Sequence, residues 1–87
     1  MIICTVVGNV WATKKEESLN GLKLMIVRQE NFCDRCEPPF VAVDNVGAGV
    51  GEQVLVVSGS SARKSLGEDN VPIDAVIVGI IDSLEIE

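Results

Sequence analysis

The sequence predicts an all-β fold: a small five-stranded, OB-like antiparallel β-barrel with one short helix. Three observations support this prediction. Short stretches rich in valine and isoleucine recur along the 87 residues, glycines and prolines mark the corners between them, and only one segment has the pattern of a helix. A chain of this length forms one domain, so we expect residues 1–87 to fold as a single unit.

The first half of the chain predicts two strands joined by a polar loop. An apolar, β-branched stretch covers 2–10 and is interrupted by Gly8, where we expect a bulge or a bend. Residues 12–20 have no apolar periodicity and end in the turn signal Asn20-Gly21. Residues 22–27 then alternate as in a strand with one face buried and the other partly covered.

The second half predicts a loop and three further strands. Residues 30–39 are polar and end in two prolines, which cannot donate backbone hydrogen bonds to a sheet. Strands are expected over 40–44 and 53–58, with a glycine-rich connection between them. Residues 73–81 are almost continuously apolar, so the last strand is expected to be buried on both faces.

One helix is predicted, over 60–66. Ser60 or Ser61 can cap its free backbone amides, and Gly67 can end it. The segment also resembles a reduced phosphate-binding loop, but the second glycine is missing and the chain is too short for the parallel sheet that such sites need. The capped helix start could still accept an anion or a partner's carboxylate, with Arg63 as the bidentate group.

The C-terminal tail carries more apolar residues than one small barrel core needs. Leu84 and Ile86 follow the last predicted strand and alternate with acidic residues. An unpaired terminal strand would invite aggregation, so we expect the tail to pair with a neighbouring subunit. A core of this size is also marginal by itself, which favours an oligomer.

Composition excludes several classes of partner and activity. Against 13 acidic residues the chain has only 7 basic ones, and its net charge of −6 argues against nucleic acid and anionic membrane surfaces as partners. No apolar stretch has the length of a membrane-spanning helix, and the start lacks a secretory signal, so a cytosolic protein is expected. Histidine is absent, which removes the commonest general base. We expect neither enzymatic activity nor a cofactor, and we interpret Asp44, Glu52 and Asp74 as solvated turn carboxylates.

The glycine cluster Gly47-Ala48-Gly49-Val50-Gly51 invites comparison with the dinucleotide-binding fingerprint. The third glycine of that fingerprint would fall on Glu52, and a predicted strand follows, so no helix N-terminus is available for a pyrophosphate. We expect instead that these glycines allow positive φ angles or a close approach of backbones at a subunit contact.

Cys33-x-x-Cys36 has the spacing of a zinc knuckle or a thiol–disulfide pair. It supplies only half of a tetrahedral zinc site, and Cys4 is the only other cysteine, so subunits meeting at a symmetry axis would have to complete the site. A small metal-binding or thiol-redox module that uses Cys33 and Cys36 is therefore the alternative function.

Five segments together resemble a known family. In chain order they are Gly8-Asn9-Val10-Trp11-Ala12-Thr13, Leu19-x-Gly21-x-Lys23-Leu24, Asp44-x-Val46-Gly47-Ala48-Gly49-x-Gly51-Glu52-x-Val54-Leu55, Gly59-Ser60-Ser61-Ala62-Arg63, and Pro72-Ile73-Asp74-Ala75 with Ile77-Val78-Gly79-Ile80-Ile81-Asp82. Over nearly the whole chain this order resembles the bacterial microcompartment vertex proteins of the EutN/CcmL type. The loop over 30–39, with its cysteine pair, departs from the family's pattern.

The resemblance implies a structural protein rather than an enzyme. It implies a pentamer, with a hexamer as the other observed form, that occupies the five-fold points of a polyhedral shell in the cytoplasm beside hexameric shell proteins. It implies a C-terminal strand, with Leu84 and Ile86, that reaches the adjacent subunit. It also implies assembly or pore contacts at Gly47, Ala48, Gly49, Gly51, Gly59, Ser60, Ser61 and Arg63.

Overall fold

The computed structural model describes residues 1–12, 15–30, 37–67 and 71–85. Its elements, in chain order, are β1 (Ile2–Asn9), a 3₁₀ helix (Glu17–Leu19), β2 (Lys23–Gln29), β3 (Phe40–Asp44), β4 (Gln53–Ser58), α1 (Ser60–Ser65) and β5 (Ala75–Ile80). The all-β prediction with one short helix is confirmed. The loop predicted over 12–20 differs in containing the 3₁₀ helix.

The five strands close into a barrel in the order β1–β2–β3–β5–β4. Four neighbouring pairs are antiparallel. The fifth pair, β3 with β5, is parallel and joins Val43 to Val76 and Asp44 to Ile77. The prediction of a fully antiparallel barrel is corrected at this pair, because β4 and α1 lie between the two strands in sequence and form the crossover that parallel neighbours require.

The bulge predicted at Gly8 is confirmed. In the β1–β2 ladder Val6 pairs with Val27 and Gly8 pairs with Ile26, so Val7 is the extra residue of β1. An extra residue bends the strand and increases its twist, which a small closed barrel requires of its strands.

Aliphatic side chains fill the barrel interior. The buried set comprises Cys4, Val6, Met25, Val27, Ala42, Ala48, Val54, Val56, Ala75 and Ile77. Burial raises the pKa of the Cys4 thiol to about 11, and the nearby Glu30 carboxylate adds to the effect. Cys4 therefore stays protonated near neutral pH and acts as a small core residue.

A second apolar cluster lies outside the barrel, beneath α1. It is built from Val43, Ala62, Val71, Ile73 and Val76. Because Val76 faces this cluster while Ala75 and Ile77 face the interior, the first half of β5 is buried on both faces, as predicted. The prediction is wrong for the end of the strand, where Ile80 is exposed because the second cluster does not extend to it. The second cluster holds the helix against the barrel wall.

Glycines lie on both sides of helix α1. Gly59 is the N-cap, with φ at 66°, and no side chain caps the helix, so the prediction that Ser60 or Ser61 caps it is wrong. The Gly59 amide donates to the Asp74 carbonyl at 2.8 Å, which fixes the turn by a backbone contact instead. Gly67 has φ at 75° and follows the helix, as predicted.

Candidate functional site

The glycine-rich loop between β3 and β4 is held by the side chains of Asp44 and Lys23. One carboxylate oxygen of Asp44 accepts hydrogen bonds from the Val46 and Gly47 amides at 3.0 and 3.1 Å. The other lies 3.3 Å from Nζ of Lys23. That ammonium also donates to the Ala48 carbonyl at 3.1 Å. Asp44 and Lys23 therefore fix the first half of the loop.

Glu52 and β1 hold the second half of the loop. The Glu52 carboxylate accepts from the Gly49 amide at 2.6 Å, and the Glu52 amide donates back to the Gly49 carbonyl at 3.2 Å. The Val6 amide donates to the Glu52 carbonyl at 3.0 Å, and the Gly51 amide donates to the Val6 carbonyl at 2.8 Å. The loop is thereby tied to the barrel wall along its length.

Asp44 is the buried carboxylate of this arrangement, since its side chain is only 1% exposed. Burial alone raises its pKa, but backbone hydrogen bonds from the loop, that of Val46 first, and the nearby Lys23 ammonium outweigh burial, so the pKa lies below its usual value. The interpretation of Asp44 as a solvated turn carboxylate is therefore wrong. One of its oxygens accepts hydrogen bonds from the loop amides, and the other faces Lys23.

The loop residues fall into two groups by their surroundings. Gly47 and Gly51 have positive φ angles of 80° and 92°, and an added Cβ would meet nothing within 4 Å at either one. The predicted backbone role of the glycines is confirmed at these two positions. Gly49 has no positive φ and lies under the Glu52 carboxylate, whereas the Ala48 methyl is buried inside the barrel.

The segment Gly59-Ser60-Ser61-Ala62-Arg63 forms the turn before α1 and most of the helix. Ser60 and Ser61 are exposed, and Ala62 is buried in the outer cluster. Nη1 of Arg63 donates to the Ile73 carbonyl at 3.2 Å. Arg63 thus ties the helix to the segment before β5, and this arrangement does not single out the helix start as an anion site.

The family of the chain follows from comparison with known proteins. The family model described as "Ethanolamine utilisation protein EutN/carboxysome" matches residues 1–82. The chain belongs to this EutN/CcmL family. The bacterial microcompartment shell vertex protein GrpN of Rhodospirillum rubrum is 47% identical over 98% of this chain and 97% of its own length. The carboxysome shell vertex protein CcmL of Synechocystis is 43% identical over 99% of this chain and 87% of its own.

Solved structures of family members share the fold. The GrpN pentameric microcompartment shell protein from Rhodospirillum rubrum superimposes with a TM-score of 0.86 and 43% identity, covering 100% of both chains. The CcmL of Gloeobacter violaceus gives a TM-score of 0.89 with 39% identity, covering 100% of this chain and 91% of the other. The EutN/CcmL resemblance inferred from the motifs is thus confirmed.

The two family motifs lie at opposite ends of the barrel. β3 and β5 run in the same direction, and both are antiparallel to β4. The glycine-rich loop joins β3 to β4, so it lies at the end of the barrel where β5 finishes. Helix α1 follows β4, so it lies at the end where β4 finishes. We call these the loop end and the helix end. The structure does not bring the two motifs into one site.

The tail leaves the barrel at the loop end. The Ile81 amide donates to the Gln53 carbonyl at 2.8 Å, which continues the β4–β5 pairing by one residue. Beyond that bond Leu84 is 37% exposed. Ile86 lies outside the described residues, as do the candidate ligands Cys33 and Cys36.

Sequence reasoning missed the roles of Asp44, Lys23 and Glu52 as the side chains that fix the loop. A partial signal exists, because an aspartate directly before a glycine-containing turn often accepts hydrogen bonds from the turn amides. Lys23 gives no such signal, since it lies on another strand. In the described ranges no group of three or more metal-ligating side chains occurs, and no helix is long and apolar enough to cross a membrane.

Proposed function

We propose that this chain is a non-enzymatic shell protein that assembles into pentamers and caps the vertices of a polyhedral bacterial microcompartment. The observation that carries the proposal is full-length similarity to the pentameric shell protein GrpN, with 43% identity and a TM-score of 0.86 over the whole of both chains. Relatives named shell vertex proteins, from carboxysomes and from another microcompartment, match over almost the full chain. A flat layer of hexamers needs five-fold units in order to close.

The use of charge in the glycine-rich loop supports a structural role. Asp44 uses its oxygens on two loop amides and on Lys23, and Glu52 uses its carboxylate on a third amide. These groups fix a backbone shape rather than leave a reactive atom free for a substrate. The buried Cys4 thiol, with its pKa raised to about 11, also lacks the thiolate that redox or metal chemistry requires.

The two motifs contact different neighbours in this proposal, because they lie at opposite barrel ends. The proposed assembly or pore contacts are Gly47, Ala48, Gly49 and Gly51 at the loop end and Gly59, Ser60, Ser61 and Arg63 at the helix end. Ala48 acts there through its backbone, because its methyl group is buried in the barrel. The tail, with Leu84 and Ile86, pairs with the adjacent subunit, which is supported by its departure from the barrel beyond Ile81.

Native mass spectrometry of the purified chain tests the proposal. Five copies at micromolar concentration are the expected result, and co-expression with a hexameric shell protein should then give closed shells rather than open sheets or tubes. A stable monomer, or a ring of six copies, would contradict a role at five-fold vertices.

A further inference from the structure

Exposed apolar side chains gather at the loop end of the barrel. Among the described residues, the exposed large apolar side chains at or near this end are Val7, Trp11, Val46, Val50, Ile80 and Leu84, whereas Met1 and Val41 lie toward the helix end. Trp11 is 91% exposed. An indole so exposed in one chain is typical of the residues that anchor protein interfaces.

Trp11 lines a groove of about 270 Å³ where β1 ends and β2 begins. Leu22 and Leu24 contribute to its apolar wall, and Lys15 and Lys23 also line it. The Val10 amide donates to the Leu24 carbonyl at 3.0 Å, so the backbone beside the groove is held in place. A cavity of roughly 150 Å³ already accepts a benzene ring, so this groove has room for an aliphatic side chain.

The tail of a second copy has the chemistry that this groove would accept. Leu84 is flanked by Asp82 and Glu85, so the segment offers one apolar side chain between two acidic ones. Lys23 already pairs with Asp44, so Lys15 is the lysine of this groove that favours an acidic peptide, in a chain whose net charge is −6. The tail therefore matches the groove both in its apolar residue and in its charge.

The position of the tail agrees with its chemistry. β1 and β5 are both antiparallel to β4, so both strands finish at the loop end, where the tail and Trp11 follow them. A rotational symmetry axis places equivalent parts of neighbouring subunits at the same height along the axis. A tail that leaves one barrel at its loop end thus emerges at the height of the neighbour's loop end, which is the end that carries Trp11.

We infer that in the pentamer residues 82–85 of one subunit lie across the Trp11 groove of the next, with Leu84 against the indole and Glu85 near Lys15. This inference rests on the proposed pentamer and identifies the surface that receives the exchanged tail. Trp11 is then the anchor of the subunit contact. Its side chain is exposed in the single chain because the neighbour that covers it is absent.

The chain contains one tryptophan, so its fluorescence reports directly on the groove. In the full-length pentamer we expect blue-shifted emission and severalfold weaker quenching by acrylamide than in the chain truncated after Asp82. Trp11→Ala should raise the concentration at which pentamers dissociate by at least about thirtyfold, the effect typical of an interface anchor. Val41→Ala, at the helix end, is the matched control and should leave assembly unchanged.

Charge reversal tests the identity of the occupant. Lys15→Glu and Glu85→Lys should each weaken assembly, and the double variant should restore it, whereas Lys64→Glu on α1 should have no effect on pentamer formation. Trp11 is almost fully exposed, so its removal leaves the single barrel folded, which circular dichroism checks.

Two outcomes would overturn the inference while leaving the proposed function intact. One is a pentamer whose Trp11 is quenched as strongly as in the truncated chain. The other is a truncated chain that still forms pentamers with a protected indole, since another part of the neighbour would then cover the groove. Failure of the full-length chain to form any pentamer would instead contradict the proposed function.

Discussion

At the scale of single residues, Asp44 shows how this sequence uses a buried carboxylate. The side chain comes directly after the buried Val43 of β3 and turns its carboxylate onto the amides of the loop that follows. An aspartate before a turn predicts the local hydrogen bonds. Its burial depends on Lys23 of the adjacent strand and on the closure of the barrel, and neither is visible in the local sequence.

Replacing Asp44 should loosen the loop and destabilise the chain. Asp44→Ala removes two hydrogen bonds from backbone amides and leaves Lys23 without its carboxylate, so we expect a loss of about 1–3 kcal/mol in the free energy of unfolding. Urea denaturation measures this loss. Asp74→Ala, at an exposed carboxylate of the helix end, is the matched control and should change stability by less than about 0.5 kcal/mol. Equal losses in the two variants would contradict the role of Asp44.

The same carboxylate predicts the direction of a pH effect. The pKa of Asp44 is lower in the folded chain than its usual value, so the unfolded chain binds more protons in the acid range. Its contribution to stability is then fully present above the unfolded pKa, near pH 4, and is lost as the pH falls through the lower folded pKa. Denaturation midpoints of the wild type should fall over this range by more than those of Asp44→Asn. Parallel pH profiles would contradict the prediction.

At the scale of elements, α1 differs from the strands in how far the sequence predicts it. Its existence and its end at Gly67 follow from local signals, but the expected serine cap is absent because Gly59 adopts a positive φ and its amide bonds to Asp74. That contact joins residues 15 positions apart, and no local pattern shows it. The helix lies on the second cluster, which the sequence does not separate from the barrel core.

Arg63 joins this helix to the segment before β5, so its removal should weaken the packing of the helix against that segment. Arg63→Ala leaves the Ile73 carbonyl without its side-chain donor, so we expect an intact barrel that is about 0.5–1.5 kcal/mol less stable. We also expect weaker contact with a neighbouring shell protein or subunit. Thermal melting and shell closure on co-expression measure the two effects. Lys64→Ala on the same helix is the control, and identical behaviour of the two variants would contradict the role of Arg63.

At the scale of the whole molecule, strand positions were predictable and the closure of the barrel was not. Each strand has its own apolar pattern, and the bulge at Gly8 has a local cause. The parallel pairing of β3 with β5 joins residues that are far apart in the chain, such as Val43 and Val76. It depends on how β4 and α1 fold between them, so the sequence pattern alone could not show it.

The association of subunits through the C-terminal tail is also a property of the whole molecule. Deleting 83–87 removes Leu84, which is partly exposed in the single chain, and we expect smaller species in place of the pentamer, because the tail loses its partner subunit. Native mass spectrometry over a concentration series measures the shift. Ser83→Ala in the full-length chain is the control. Pentamers of unchanged stability after the deletion would show that the tail is not exchanged.

The burial of Ala48 inside the barrel has a consequence for permeability. Its methyl group belongs to the barrel core, whose interior is packed with side chains such as Met25 and Ile77. As far as the structure describes the chain, the barrel interior is therefore a packed core and not a channel. In a ring of such barrels, any metabolite or ion that crosses the vertex must therefore travel between subunits, and the width of that passage is set by how closely neighbours pack.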